Sequence, residues 1–196
     1  MRSWARAAAL RTGSVHGPSA HLPCSGQATL VVAVARQPIS CSAIVRLARD
    51  PLSVALAVLD ASVVVDWVAP GGDPASPAAR ALTRLADSDA DLLGPRLLVE
   101  EVSNALLTGI RRRRWSGAAA DTAFELFRDL PVRLIDEPRD LARAWDLSRR
   151  YDNHPVYDML YLALAERLRT QLVTADDQLL TRLASTNLVI APDQIG

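Results

Sequence analysis

The sequence predicts an α/β domain in which a parallel sheet is covered by helices on both faces. Three observations predict it: short apolar runs of strand type recur along the chain, segments of helical period separate them, and this alternation persists from residue 54 to the end. Strands joined through helices run parallel, and a parallel sheet hides both of its faces.

Val54 to Leu59 reads as a buried strand, after which Asp60, Ala61 and Ser62 cap a helix running through Val65 and Trp67 to Pro70. Residues 71–77, GGDPASP, form a loop. Ser76 with Pro77 opens a helix to about Ala86, because a proline at the first helical position lacks only an N–H that would have had no partner. Leu92 and Leu93 make a very short strand. A long helix follows from about Pro95 to Arg113, with Leu98, Val102, Ala105 and Leu106 on its buried side, and Ser116 caps another as far as Asp129. Val132 to Ile135 is a strand and Pro138 to Arg150 a helix. From Val156 to Leu168 the apolar Met159, Leu160, Leu162, Ala163 and Leu164 recur nearly all round, which predicts a helix buried over most of its surface. Gln171 to Thr174 is a strand, Asp176 stands where a new helix begins, and Leu188 to Ile190 is the last strand. No internal repeat is evident.

Residues 1–53 are different in kind. They are rich in Ala, Ser, Pro, Gly and Arg with no sustained period, and we expect an extension that is disordered or weakly attached, followed by a domain over 54–196. Val54 opens that domain so directly that it is itself a candidate start.

The basic residues are all arginine; no lysine occurs. Chemistry that needs a P-loop lysine, a Schiff base or the lysine partner of a phospho-aspartate is thereby excluded. Net charge is zero, yet residues 1–54 carry Arg2, Arg6, Arg11, Arg36, Arg46 and Arg49 against Asp50 alone, so the rest of the chain is acidic. Cys24 and Cys41 have neither the spacing nor the histidines of a metal knuckle, and a reducing compartment is expected. No uncharged apolar run of roughly 18 residues exists to span a membrane. The basic start also lacks the apolar segment of a targeting peptide, so a cytoplasmic location is expected.

Ligands of open α/β sheets bind beyond the carboxyl ends of the strands. Asp60 lies at the end of the first strand and Asp176 just past the end of another; Glu101 and Asn104, three apart, share one face of the long helix; Asp158 sits in the first turn of the buried helix. Two of these acids also have purely structural readings, Asp158 as a charge favoured by the helix dipole and Asp176 as an N-cap. If the four carboxylates meet, two like charges about 4 Å apart cost roughly 4 kcal/mol at an effective dielectric near 20, and the cluster wants a cation. Hard oxygen donors without cysteine or histidine select Mg2+ or Mn2+ over zinc, and such an ion suits water attack on a phosphate.

The segments LDAS (59–62), VEEVSNAL (99–106), YDMLYLALAE (157–166) and LVTADDQLL (172–180) resemble, in order and spacing, the four acidic motifs of PIN-domain nucleases. They look most like the VapC-type toxins of bacterial toxin-antitoxin pairs, and the resemblance covers about Val54 to the C-terminus. It implies that Asp60, Glu101, Asp158 and Asp176 are the catalytic, metal-binding acids, and that Ser62, Asn104 and Thr174 orient them. It implies a three-layer α/β/α sandwich with a short parallel sheet and a Mg2+- or Mn2+-dependent endoribonuclease cutting structured RNA such as transfer RNA. A homodimer silenced by a cognate VapB-type antitoxin completes the expectation. Two other readings stand beside it: a PIN-type nuclease of RNA maturation or DNA flaps, and a non-catalytic module that binds RNA or a peptide. Small size weighs against the first, and the presence of all four acids against the second.

Neighbouring residues have simpler expectations. Glu100 and Asp177 read as solvated acids. Arg111, Arg112, Arg113 and Arg114 form either a solvated helix end or a contact for RNA or antitoxin, and Trp115 either packs or stacks a base. His154 reads as an exposed loop residue, and Trp67 and Trp145 as packing residues on apolar helix faces.

Overall fold

Leu56–Leu59 form β1, the central strand of a five-stranded sheet in the computed structural model, which describes residues 56–195. The extension expected over 1–53, and Val54 and Ala55 of the first strand, lie outside the described residues. After β1 come α1 (Ala61–Val68), α2 (Pro77–Asp87), β2 (Asp91–Pro95), α3 (Leu98–Arg111), α4 (Gly117–Asp129) and β3 (Val132–Ile135). Then follow α5 (Pro138–Arg150), α6 (Val156–Leu168), β4 (Gln171–Val173), α7 (Asp177–Leu183) and β5 (Val189–Ile190).

All four strand pairs are parallel, in the order β3-β2-β1-β4-β5. Successive connections step one way from β1 to β3 and the other way from β3 to β5. Right-handed crossovers therefore place α1 to α4 on one face and α5 to α7 on the opposite face, the three-layer α/β/α arrangement. Packing agrees: α1 meets α2, α3 and α4, whereas α5 lies against α6 and α6 against β1, β2 and β4.

Ala57, Val58 and Leu59 of β1 are all buried, as a strand covered on both faces requires. In α6, Met159, Tyr161, Leu162, Ala163, Leu164 and Ala165 are buried, so the nearly all-round apolar pattern marks a helix enclosed between the sheet and α5. Each large apolar side chain enclosed in this way contributes about 1.5–3 kcal/mol. Thr170 ties the exit of α6 to the start of β1 by donating its hydroxyl to the Leu56 carbonyl. Ser76 and Ser116 cap α2 and α4, accepting from Ala79 and Ala119 N–H at 3.1 and 3.2 Å.

Some boundaries and environments differ from expectation. β2 has five residues rather than two, because Gly94 and Pro95 pair with Leu134 and Ile135; the long helix consequently begins at Leu98, not near Pro95. Gly94 allows that close turn, since a Cβ there would stand 2.7 Å from Leu98 Cδ2. Trp145, expected to pack, is 63% exposed beside Leu141 at 56%. The reason is that α5 packs on α6 through a partly polar face of Asp140, Ala144, Leu147 and Ser148. Arg167 grips Asp140 there through two bonds at 2.6 and 2.8 Å, and Arg143 grips Glu166 at 2.7 and 3.1 Å. Trp67 does pack, its Nε1 donating to the Ala78 carbonyl at 2.6 Å. Among the described residues, no helix is long and apolar enough to cross a membrane.

Candidate functional site

The strand order reverses at β1, whose neighbours β2 and β4 are reached by connections of opposite direction. A crevice beyond the carboxyl ends of the strands at such a point is where α/β sheets take their ligands. Asp60 is the first residue past β1, and Thr174 the first past β4.

Asp60 still belongs to the sheet through its backbone, donating N–H to the Val173 carbonyl at 2.9 Å, while its side chain begins α1. Oδ1 accepts from Ala61 N–H at 2.8 Å; Oδ2 accepts from Ser62 Oγ at 2.5 Å and Thr174 Oγ1 at 2.7 Å. Each of those hydroxyls in turn accepts a backbone N–H, from Ala175 and Asp176 respectively, both at 3.0 Å. An ionised carboxylate only accepts, so both hydroxyls direct their single protons at Asp60. Ser62 and Thr174 thus stand beside Asp60, where the sequence placed orienting residues. Despite these donors, burial raises the Asp60 carboxyl above its ordinary value, Ser62 and Thr174 opposing the rise and the Asp158 charge adding to it.

Glu101 lies in the first turn of α3. Burial raises its carboxyl too, the Tyr161 hydrogen bond opposes the rise, and the charges of Asp60, Asp158 and Glu100 add to it. Asp60, Glu101 and Asp158 therefore feel one another across the ends of β1, α3 and α6. Asp176 is engaged differently. Its Oδ1 accepts from Gln178 and Leu179 N–H at 2.8 and 3.2 Å, the N-cap of α7, and its link to Asp60 runs through its own N–H and Thr174.

Two residues that anchor the acids were not singled out by sequence for that part. Tyr161 donates its hydroxyl to Glu101 Oε2 at 2.5 Å, and burial together with Glu101 pushes that phenol well above the usual tyrosine range. His154, expected to be exposed, has a side chain only 13% exposed and lies 2.7 Å from Asp158 Oδ2. For His154 the signal was its place in the loop four residues before Asp158; for Tyr161, whose partner lies 60 residues away, the sequence carried no local signal.

Asn104 is exposed and its side chain makes no hydrogen bond among the described residues; the bond to Glu101 comes from Tyr161. Glu100 is exposed in an ion pair with Arg96 at 2.6 Å, and Asp177 is exposed at the start of α7. Arg111 to Arg114 are all exposed, with Arg111 held by Thr108 Oγ1 at 2.7 Å. Trp115 packs: its Nε1 donates to the Leu106 carbonyl at 3.0 Å and its ring lies over Gly109.

Among the described residues, no group of three or more His, Cys, Asp and Glu side chains stands close enough to hold a metal ion between them. The donors nevertheless fit a hard divalent cation. They are carboxylates whose charges oppose one another, and Mg2+ is commonly held by one or two carboxylates while waters and substrate phosphate complete its shell. Glu101 Oε1 and Asp158 Oδ1 accept no hydrogen bond among the described residues, and no fully buried side-chain oxygen there lacks a partner, so both oxygens reach solvent.

Two comparisons bear on this geometry. A family model described as PIN domain matches residues 57–185, which takes in β1 to α7 and all four acids. No curated protein matches the chain.

Proposed function

The chain belongs to the PIN domain family, a family of nuclease folds, and on that premise we propose that it is a Mg2+- or Mn2+-dependent endoribonuclease of VapC type. The observation that supports the reading is that Asp60, Glu101 and Asp158 act on one another's charge at the reversal point of the sheet, where each carboxylate is tied down by a hydrogen-bond partner and two are raised by burial and mutual charge.

In this reading Asp60, Glu101 and Asp158 would hold the ion, with Asp176 as the fourth acid. Such an ion would supply a more acidic water and neutralise charge at the phosphate. The chain's own residues supply orientation. Ser62 and Thr174 fix the Asp60 carboxylate, His154 fixes one oxygen of Asp158, and the N-terminal turn of α7 holds Asp176 beside Thr174. Arg111 to Arg114 offer an exposed cationic edge to an RNA backbone in a domain that is otherwise acidic. We further propose a toxin acting in the cytoplasm as a homodimer, on structured RNA such as transfer RNA, and silenced by a VapB-type antitoxin. Exposed Leu107, Phe124, Leu134, Leu141 and Trp145 offer apolar surface suited to such partners.

The test is incubation of the full-length protein and its Asp60→Asn variant with total RNA and with single-stranded or flap DNA, in Mg2+, Mn2+ or EDTA. Metal-dependent cutting of a narrow set of RNAs, absent in the variant, is expected. Cutting of DNA alone would move the protein to a flap nuclease. Binding without any cleavage would make it a non-catalytic module.

A further inference from the structure

We infer that Tyr161 is a positioning residue: its hydroxyl fixes Glu101 by Oε2 and leaves Oε1 as the oxygen offered to a divalent cation. The inference rests on the metal-dependent reading above. It begins with a polar group in an apolar place. Tyr161 is fully buried in α6 among Leu162, Ala163 and Leu164, where leucine or phenylalanine would fill the same space without the cost of enclosing a hydroxyl. Among the described residues that hydroxyl has one hydrogen bond, and it reaches across to α3, 60 residues earlier, to donate to Glu101 at 2.5 Å.

Glu101 is the acid most in need of such a hold. Its side chain has three rotatable bonds, and among the described residues the hydrogen bond from Tyr161 is the one that holds its carboxylate. Tyr161 lies one helical turn beyond Asp158, so the residue that draws Glu101 inward is built on the same helix as one of the acids that repel it. A neutral donor on a rigid, buried ring does this without adding a cation that would compete with the metal. Asp60 and Asp158 are already held by other means, Ser62 and Thr174 on the one and His154 on the other. The Tyr161 bond is the corresponding hold on Glu101.

The test is Mn2+ titration of the full-length protein, reading free Mn2+ by electron paramagnetic resonance, for wild type, Tyr161→Phe, Glu101→Gln and the double variant. Loss of a residue that orients a metal ligand weakens metal binding about 10- to 100-fold. Tyr161→Phe is expected to fall in that range while keeping its far-ultraviolet circular dichroism, and to add nothing in the Glu101→Gln background. A merely structural tyrosine would lower the melting temperature and weaken Mn2+ binding equally with or without Glu101, and that additive result overturns the inference. So does wild-type affinity in Tyr161→Phe. If Tyr161→Phe does not fold, Glu101→Asp decides, since it keeps the charge but shortens the reach to the phenol; unchanged Mn2+ affinity there also overturns the inference. Absence of Mn2+ binding by wild type overturns the metal-dependent reading itself, and this inference with it.

Discussion

Thr174 donates its hydroxyl to Asp60 Oδ2 at 2.7 Å, joining the ends of β1 and β4 across 114 residues of sequence. The bond favours the ionised carboxylate, as the direction of its effect on Asp60 shows. Thr174→Val keeps the shape and removes the donor. It should destabilise the fold by about 1–3 kcal/mol. The loss should be larger at pH 8 than at pH 3, below the ordinary carboxyl value of 3.8, because the charged acid accepts the bond more strongly than the neutral one. Urea midpoints at the two pH values measure this, and equal losses would show that the bond does not serve the charge.

Asp60 and Glu101 both have raised carboxyls in the folded chain. They hold their protons more tightly folded than unfolded, so their contribution to stability without metal is fully present below their ordinary values of 3.8 and 4.5. It is lost as the pH rises through the folded values. In EDTA, Asp60→Asn should therefore melt higher than wild type at pH 8, with the gap closing toward pH 4. Mg2+ should raise the wild type and leave the variant nearly unmoved. A melting curve in which the two proteins run parallel across this range would contradict the burial of charge at Asp60.

Asp176 has two possible duties, and one pair of substitutions separates them. Asn caps a helix about as well as Asp, whereas Ala costs about 1 kcal/mol at that position. Asp176→Asn should keep stability and lose cleavage if the charge serves the metal. Should Asp176→Asn cut RNA at the wild-type rate while Asp176→Ala merely melts earlier, the residue is a cap and nothing more.

The exposed arginines at the end of α3 carry a prediction about salt. If Arg112, Arg113 and Arg114 contact RNA phosphates, replacing all three with Ala should weaken RNA binding and flatten the dependence of log affinity on log salt by about 0.7 per lost contact. Melting temperature should change little, since all three are exposed. An unchanged salt slope would leave these residues as a solvated helix end.

What could be read from sequence was mostly local. The caps Ser76 and Ser116 act within three residues, and α6 was visible because its apolar residues run nearly all round. The place of Asp60 followed from one rule about strand ends. What escaped were relationships between distant segments or faces with mixed chemistry. The partner of Glu101 lies 60 residues away, and nothing near Glu101 in the chain announces it. Trp145 faces outward because the packed side of α5 includes Asp140 and Ser148, which a search for apolar stripes assigns to solvent. The sequence pattern starts the long helix near Pro95, whereas Gly94 and Pro95, ordinarily strand breakers, continue β2 along its pairing with β3.

Gly109 and Trp115 show how far such a relationship binds two positions. A Cβ at residue 109 would lie 1.9 Å from the indole Cζ2, so the tryptophan ring occupies the space a side chain would need. Any other residue at 109 must evict that ring, and a small residue at 115 leaves a hole over 109. Neither position can drift alone. Over generations the two should change together or not at all, and a lineage that keeps the glycine should keep the aromatic ring, whatever becomes of the arginines between them.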